Sequence, residues 1–164
     1  MVNIKHICND CKQIGIITIH QTLHSFPKLN WYKSFQCSFC SSALEIDGIG
    51  FPPEEIRQLI IKDEGEYKLV VNSVKLKNKV KLLKIIHQIL PLSLKQLLTL
   101  KKTFPNMVSG TNIEMKWLKK HLFNEGIKSS IEPIHPSQDN QVIAVLNKNY
   151  RNKLCFHSLD SVIL

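Results

Sequence analysis

The chain has 164 residues, 43% of them apolar, enough for one compact domain or two small ones. Lys and Arg outnumber Asp and Glu by 22 to 13, which gives a net charge of +9 and a pI near 9.4. A field of that sign favours nucleic acid, an anionic membrane or an acidic protein surface, and no run of about eighteen apolar residues predicts a membrane span.

The N-terminus, "MVNIKHICNDC", turns polar at once and lacks the apolar core of a signal peptide. Five cysteines are an odd count for a closed disulfide framework, so a reducing cytoplasm is the expected compartment. Cys8 and Cys11 in "CNDC" and Cys37 and Cys40 in "CSFC" form two Cys-x-x-Cys pairs, separated by 25 residues. Two thiolates three positions apart can grip one metal from a tight turn, and two such turns supply the four soft ligands of a structural zinc site. "IGIITIH" alternates and is β-branched, and "WYKSFQC" is aromatic, so both read as strands. The layout predicts a zinc ribbon over residues 1–50, with each cysteine turn at the end of a hairpin. His6, His20 and His24 are spare ligands that four thiols make unnecessary.

"DGIGFPP" is a Gly/Pro cluster and reads as a turn at a domain seam. "PPEEIRQLIIKDEG" opens with Pro and acids and closes on Gly65, which predicts a short connecting helix within 51–65. Beyond it, no Asp or Glu occurs between Glu66 and Glu114, while nine lysines do. "EYKLVVNSV" predicts a strand. "NKVKLLKIIHQIL" spaces Val80, Leu83, Ile86 and Leu90 helically, and those residues are expected to face the core. "PLSLKQLLTLKKT" starts a second helix at Pro91 and Ser93. A third follows Thr111 or Asn112 and ends before Gly126, ahead of a strand in "IKSSIEPI". The expected architecture is α+β: the ribbon, then a β-α-α-α-β domain over 66–132, then a β-hairpin-like extension over 133–164 built from "QVIAVLN" and "KLCFHSL". Cys155 in that extension reads as a buried thiol, and its neighbour His157 is not expected to make it a nucleophile.

"NKVKLLKIIHQILPLSLKQLLTLKK", with "EYKLVVNS" before it and "LKKHLFNEGIKSSIE" after it, resembles the C-terminal domain of the bacterial ribosomal stalk protein. The resemblance covers about residues 66–132. In that family the domain recruits translational GTPases through a lysine-bearing face of its first two helices. Lys79, Val80, Leu83, Lys84 and Lys95 match that contact pattern. His87 stands where the family has Arg, Leu98 stands where it has Lys, and Pro91 and Ser93 replace its turn glycines. The cysteine module occupies the end where a stalk protein has its dimerisation region, so the chain reads as a stalk-type domain reused as a binding module. Lys79, Lys84, His87 and Lys95 are the candidate partner-binding residues, and an acidic protein surface is the expected partner.

No phosphate loop, nucleophile elbow or paired carboxylate is visible, so no enzyme activity is expected. The leading expectation is a non-catalytic zinc-containing binding protein of the bacterial cytoplasm, in a neutralising or adaptor role such as immunity to a polymorphic toxin. The alternative is a nucleic-acid- or ribosome-associated accessory protein using the lysine field. Against it, arginine is scarce, with only Arg57 and Arg151.

Overall fold

The structure is a computed structural model of the chain. It describes residues 1–24, 26–71, 76–90 and 92–135.

Four strands, β1 (Val2–Ile7), β2 (Ile14–Thr22), β3 (Asn30–Cys37) and β4 (Ala43–Ile49), form an antiparallel meander in sequence order. The two cysteine turns close the β1–β2 and β3–β4 hairpins, as the ribbon layout requires. Helix α1 (Glu54–Glu64) follows, with Glu54 and Glu55 in its first turn and Gly65 at its end with φ 87°. Ile56 and Ile60 of α1 bury against Val2, Ile19 and Trp31 of the sheet. The predicted connector is therefore also a packing element of the first sheet.

The second half runs β5 (Tyr67–Val70), α2 (Leu76–Ile89), α3 (Leu94–Thr103), β6 (Asn106–Gly110), α4 (Asn112–Asn124) and β7 (Ser130–Pro133). Its three strands pair antiparallel in the order β6-β5-β7. Ser93 and Thr111 cap α3 and α4 through reciprocal capping boxes with Gln96 and Glu114. The core gathers Leu69, Val71, Leu82, Ile86, Leu90 and Leu100 with Val108, Met115, Leu118 and Leu122.

Three expectations are corrected. The order is β-α-α-β-α-β, not β-α-α-α-β, because Asn106–Gly110 is a strand. That run is five residues, too short for alternation to show; its Val108 is fully buried, set opposite Leu69. "DGI" is not a turn but the end of β4. Gly48 is needed inside the strand because the Trp31 indole lies across it, and a Cβ there would sit 2.6 Å from the ring. Third, Val80 is not a core residue; it is 72% exposed. The turn expected in "DGIGFPP" falls at Gly50, after the strand ends, with φ 99°. The expected hairpin of 133–164, with Cys155 and His157, falls almost wholly outside the described residues; Ile134 still adds one bond, donating its N–H to Glu66 O at 2.8 Å.

The two halves meet over a polar seam. Arg57 of α1 is 2% exposed and Glu114 of α4 is fully buried. The Arg57 Nε–H donates to both Glu114 carboxylate oxygens, at 3.0 and 2.9 Å, and an Nη2–H donates to Ser109 O at 3.2 Å. Burial pushes the Glu114 carboxyl up, against the pull of Arg57 and of the Thr111 N–H. The Thr111 hydroxyl donates to Gln21 Oε1 of β2 at 2.6 Å, and the Trp117 indole N–H donates to Pro27 O at 2.6 Å. Leu29, from the loop before β3, belongs to the core of the second half.

Candidate metal centre

Each cysteine turn is fixed by its own backbone. In the first, the Cys8 N–H donates to Gln13 O at 2.7 Å and the Lys12 N–H donates to Cys8 O at 3.0 Å. In the second, the Cys37 N–H donates to Ser42 O at 2.9 Å, and the Phe39 N–H donates to Cys37 Sγ at 3.5 Å. Lys12 and Ser41, each directly after the second cysteine of its pair, take the left-handed conformation with φ 61° and 60°. That reversal sends the chain back into the hairpin and leaves both sulfurs of a pair on one side.

The structure brings all four predicted sulfurs together. Cys8 Sγ lies 3.6 Å from Cys40 Sγ and Cys11 Sγ lies 3.5 Å from Cys37 Sγ, and all four lie within 4.8 Å of one another. Metal–sulfur bonds of about 2.3 Å in a tetrahedron imply sulfur–sulfur edges of about 3.8 Å. The spacing fits that cage, whereas a disulfide would need about 2.05 Å, and the four thiols are free. Cys8 and Cys37 are buried, Cys11 is half-buried and Cys40 is exposed.

Electrostatics point the same way. The N–H groups of Cys40 and then Phe39 hold the Cys37 thiol down to about 6. The Cys11 N–H, helped by that of Asp10, lowers Cys8. For Cys40 the Ser42 N–H lowers the thiol, but neighbouring Cys11, burial, Cys8 and Cys37 together outweigh it and push it up to about 12. Cys11 is likewise raised: the Gln13 N–H lowers it, and burial with the Cys37 and Cys8 sulfurs prevails. Two thiols are lowered and two raised, because four negative charges this close need a cation between them. The group could hold one metal ion. His6 and His20 stand apart from it, His6 edge-on to Phe35 and His20 stacked on Tyr32.

The four residues expected to bind a partner are not equivalent. Lys84 and His87 on α2 and Lys95 on α3 are exposed. Lys79 is half-buried, with its ammonium 4.5 Å above the Phe104 ring, so it packs α2 against the end of α3. The same two helices also expose apolar side chains that the sequence had assigned to the core or left unplaced: Val80, Leu94 and Leu98, 72, 77 and 61% exposed. Val80, Lys84 and His87 recur at helical spacing along one side of α2, and α2 packs on α3.

Comparison with known protein families, with curated proteins and with solved structures gave no match. Among the described residues, no helix is long and apolar enough to cross a membrane.

Proposed function

We propose that the chain is a non-catalytic, zinc-stapled binding protein of the reducing cytoplasm. It docks an acidic protein surface on the α2–α3 face, in a neutralising or adaptor role such as immunity to a toxin. Cys8, Cys11, Cys37 and Cys40 would hold the zinc. Four protein ligands leave no open position for water, so the metal supports the fold and does no chemistry.

The observation that carries the binding reading is the exposed mixture on α2 and α3. Three large aliphatic side chains stand among Lys84, His87 and Lys95, and neither helix contains an acid. An apolar centre with a charged margin is the composition of a protein interface. The resemblance of this segment to the stalk-protein domain supports the same face. Nucleic acid is the weaker reading, because one of the two arginines, Arg57, is consumed in the interior and cannot meet phosphate.

The test is affinity capture of a partner from native lysate, comparing the natural chain with Lys84→Glu/Lys95→Glu and with Leu98→Asp. A partner with an acidic surface, retained by the natural chain and lost by both variants, supports the reading. Relief of that partner's toxicity on co-expression would identify the role as immunity. Capture of RNA that fades with salt, or a partner indifferent to both variants, overturns it. Lys79 is left unchanged because its ammonium supports Phe104.

A further inference from the structure

Among the described strands, β4 is an edge of the first sheet: it pairs with β3 alone, and every β4 residue except Gly48 is exposed. The flanking bonds fix which backbone groups point away from β3. Cys37 N–H bonds Ser42 O and Gly50 N–H bonds Leu29 O, so the hydrogen-bonded pairs in this register fall at Ser42, Leu44, Ile46, Gly48 and Gly50. The N–H and C=O groups of Ala43, Glu45, Asp47 and Ile49 therefore face outward, a row of donors and acceptors with no strand partner among the described residues.

The side chains along this edge have two chemistries. Leu44 and Ile46, 54 and 43% exposed, lie on the sheet face where α1 packs on Val2, Ile19 and Trp31, with Ile4 and Ile17 half-buried beside them. Leu44 continues an apolar row across all four strands, Ile4–Ile17–Phe35–Leu44. Glu45 and Asp47 lie on the opposite face and make no ion pair among the described residues. Two copies of β4 cannot use the edge well. An antiparallel self-pairing centred on the strand sets Glu45 against Glu45 or Asp47, or Asp47 against Asp47, and directly opposed like charges are destabilising.

We infer that the β4 edge takes an added strand from a partner protein, an extended segment that alternates Lys or Arg with aliphatic residues. Opposite Glu45 and Asp47 its basic side chains meet carboxylates. Opposite Ile46 and Leu44 its aliphatic side chains meet exposed apolar residues and extend the row that Leu44 ends. Its main chain satisfies the outward row of peptide groups, which is strand addition by an ordinary ladder. The chain's overall positive charge does not forbid this, because fields beyond about 8 Å are screened at physiological salt and the carboxylates lie in direct contact.

The probe is a fluorescein-labelled synthetic peptide, Ser-Lys-Val-Lys-Ile-Lys-Ser, titrated into the full zinc-loaded chain. A second peptide carries N-methyl groups on the three lysine amides, which removes the donors that meet the edge and leaves the charge. Glu45→Pro removes one outward N–H without touching a bond to β3, a substitution an edge strand tolerates. Glu45→Lys/Asp47→Lys keeps the backbone and reverses the charge. Saturable binding of the first peptide, weakened at least about tenfold by the N-methyl groups, by the proline and by the charge reversal, supports the assignment. Folding of both variants is checked by zinc content and amide chemical shifts. No saturable binding up to about 1 mM overturns it. So does equal binding of the N-methylated peptide, which would mean attraction of charge alone. Self-association of the natural chain that the proline abolishes would make the occupant a second copy, and also overturns it.

Discussion

Replacing Glu114 with Gln should cost more stability than any single surface change in this chain. The Glu114 carboxylate accepts two bonds from the Arg57 Nε–H, at 3.0 and 2.9 Å, and one from the Thr111 N–H at 2.9 Å, with both charged side chains at or below 3% exposure. Gln can still accept from Thr111, but it leaves the guanidinium charged in a site closed to water. Breaking one side of a buried pair costs about 3–5 kcal/mol, a large part of the roughly 5–15 kcal/mol that holds a domain folded. With a urea slope of about 2 kcal/mol per molar, the midpoint should fall by about 1.5–2.5 M at fixed zinc. Arg57→Met/Glu114→Leu removes both charges and should recover most of that loss, giving a coupling of more than about 2 kcal/mol. Gly110→Ala should resemble the single variant. Its Cβ would press on a Glu114 carboxylate oxygen and lie 2.7 Å from Arg57 Nη2, with no room to move. A Glu114→Gln loss below about 1 kcal/mol, or a double variant whose cost is simply additive, would refute the account of the seam.

Two further outcomes follow from the titrating groups. Because Cys11 and Cys40 are raised, and Cys40 to about 12, a metal must displace their protons. Cobalt or zinc titration should release at least about two protons per metal near neutral pH and bind more weakly as pH falls; metal uptake without proton release would contradict the four-thiolate site. Burial lowers His121 below its ordinary 6.5, so the unfolded chain takes up that proton first. Stability from this residue is complete above pH 6.5 and is lost as pH falls through the window below it. His121→Phe keeps the ring between Trp117 and Phe26, at 4.5 and 4.6 Å, and should flatten the urea midpoint across that window; an unchanged slope would assign the titration elsewhere.

The metal group was legible because its chemistry demands a spacing. Two thiols on one tight turn must lie three positions apart, so Cys8, Cys11, Cys37 and Cys40 declare themselves without tertiary information. The caps at Ser93 and Thr111 were legible for the same local reason. The orientation of α2 was not. Its apolar residues from Val80 to Leu90 are spread over most of the helix circumference, at about 100° per residue. An i, i+3, i+6 row drifts about 60° per step, so Val80 lies about 120° from Ile86 and the two cannot both face one core. The packed arc is centred on Leu82, Ile85, Ile86 and Leu90. That choice belongs to the sheet beneath, and it explains two results at once: Val80 joins Lys84 and His87 in solvent, and Lys79, about 20° from Ile86, falls on the packed side with its ammonium over Phe104. The Arg57–Glu114 pair, 57 positions apart, carries no local signature beyond the capping role of Glu114.

The four-cysteine group and the seam stand at opposite ends of one strand. β2 begins beside the cysteine turns at Ile14 and ends at Thr22, next to Gln21, which meets Thr111 across the seam. At about 3.3 Å per residue that separates them by about 26 Å. Loss of the metal therefore reaches the second half only by fraying the β1–β2 and β3–β4 hairpins inward, whereas Glu114→Gln acts on the seam directly. Leu29 and Pro27 tie the far end of the sheet into the second core and to Trp117, so that end stays anchored when the turns open. Chelation should then expose the amides of the cysteine turns to exchange before those of α4 and β6. Glu114→Gln should reverse the order, loosening α4 and β6 while the turns remain protected by their ion.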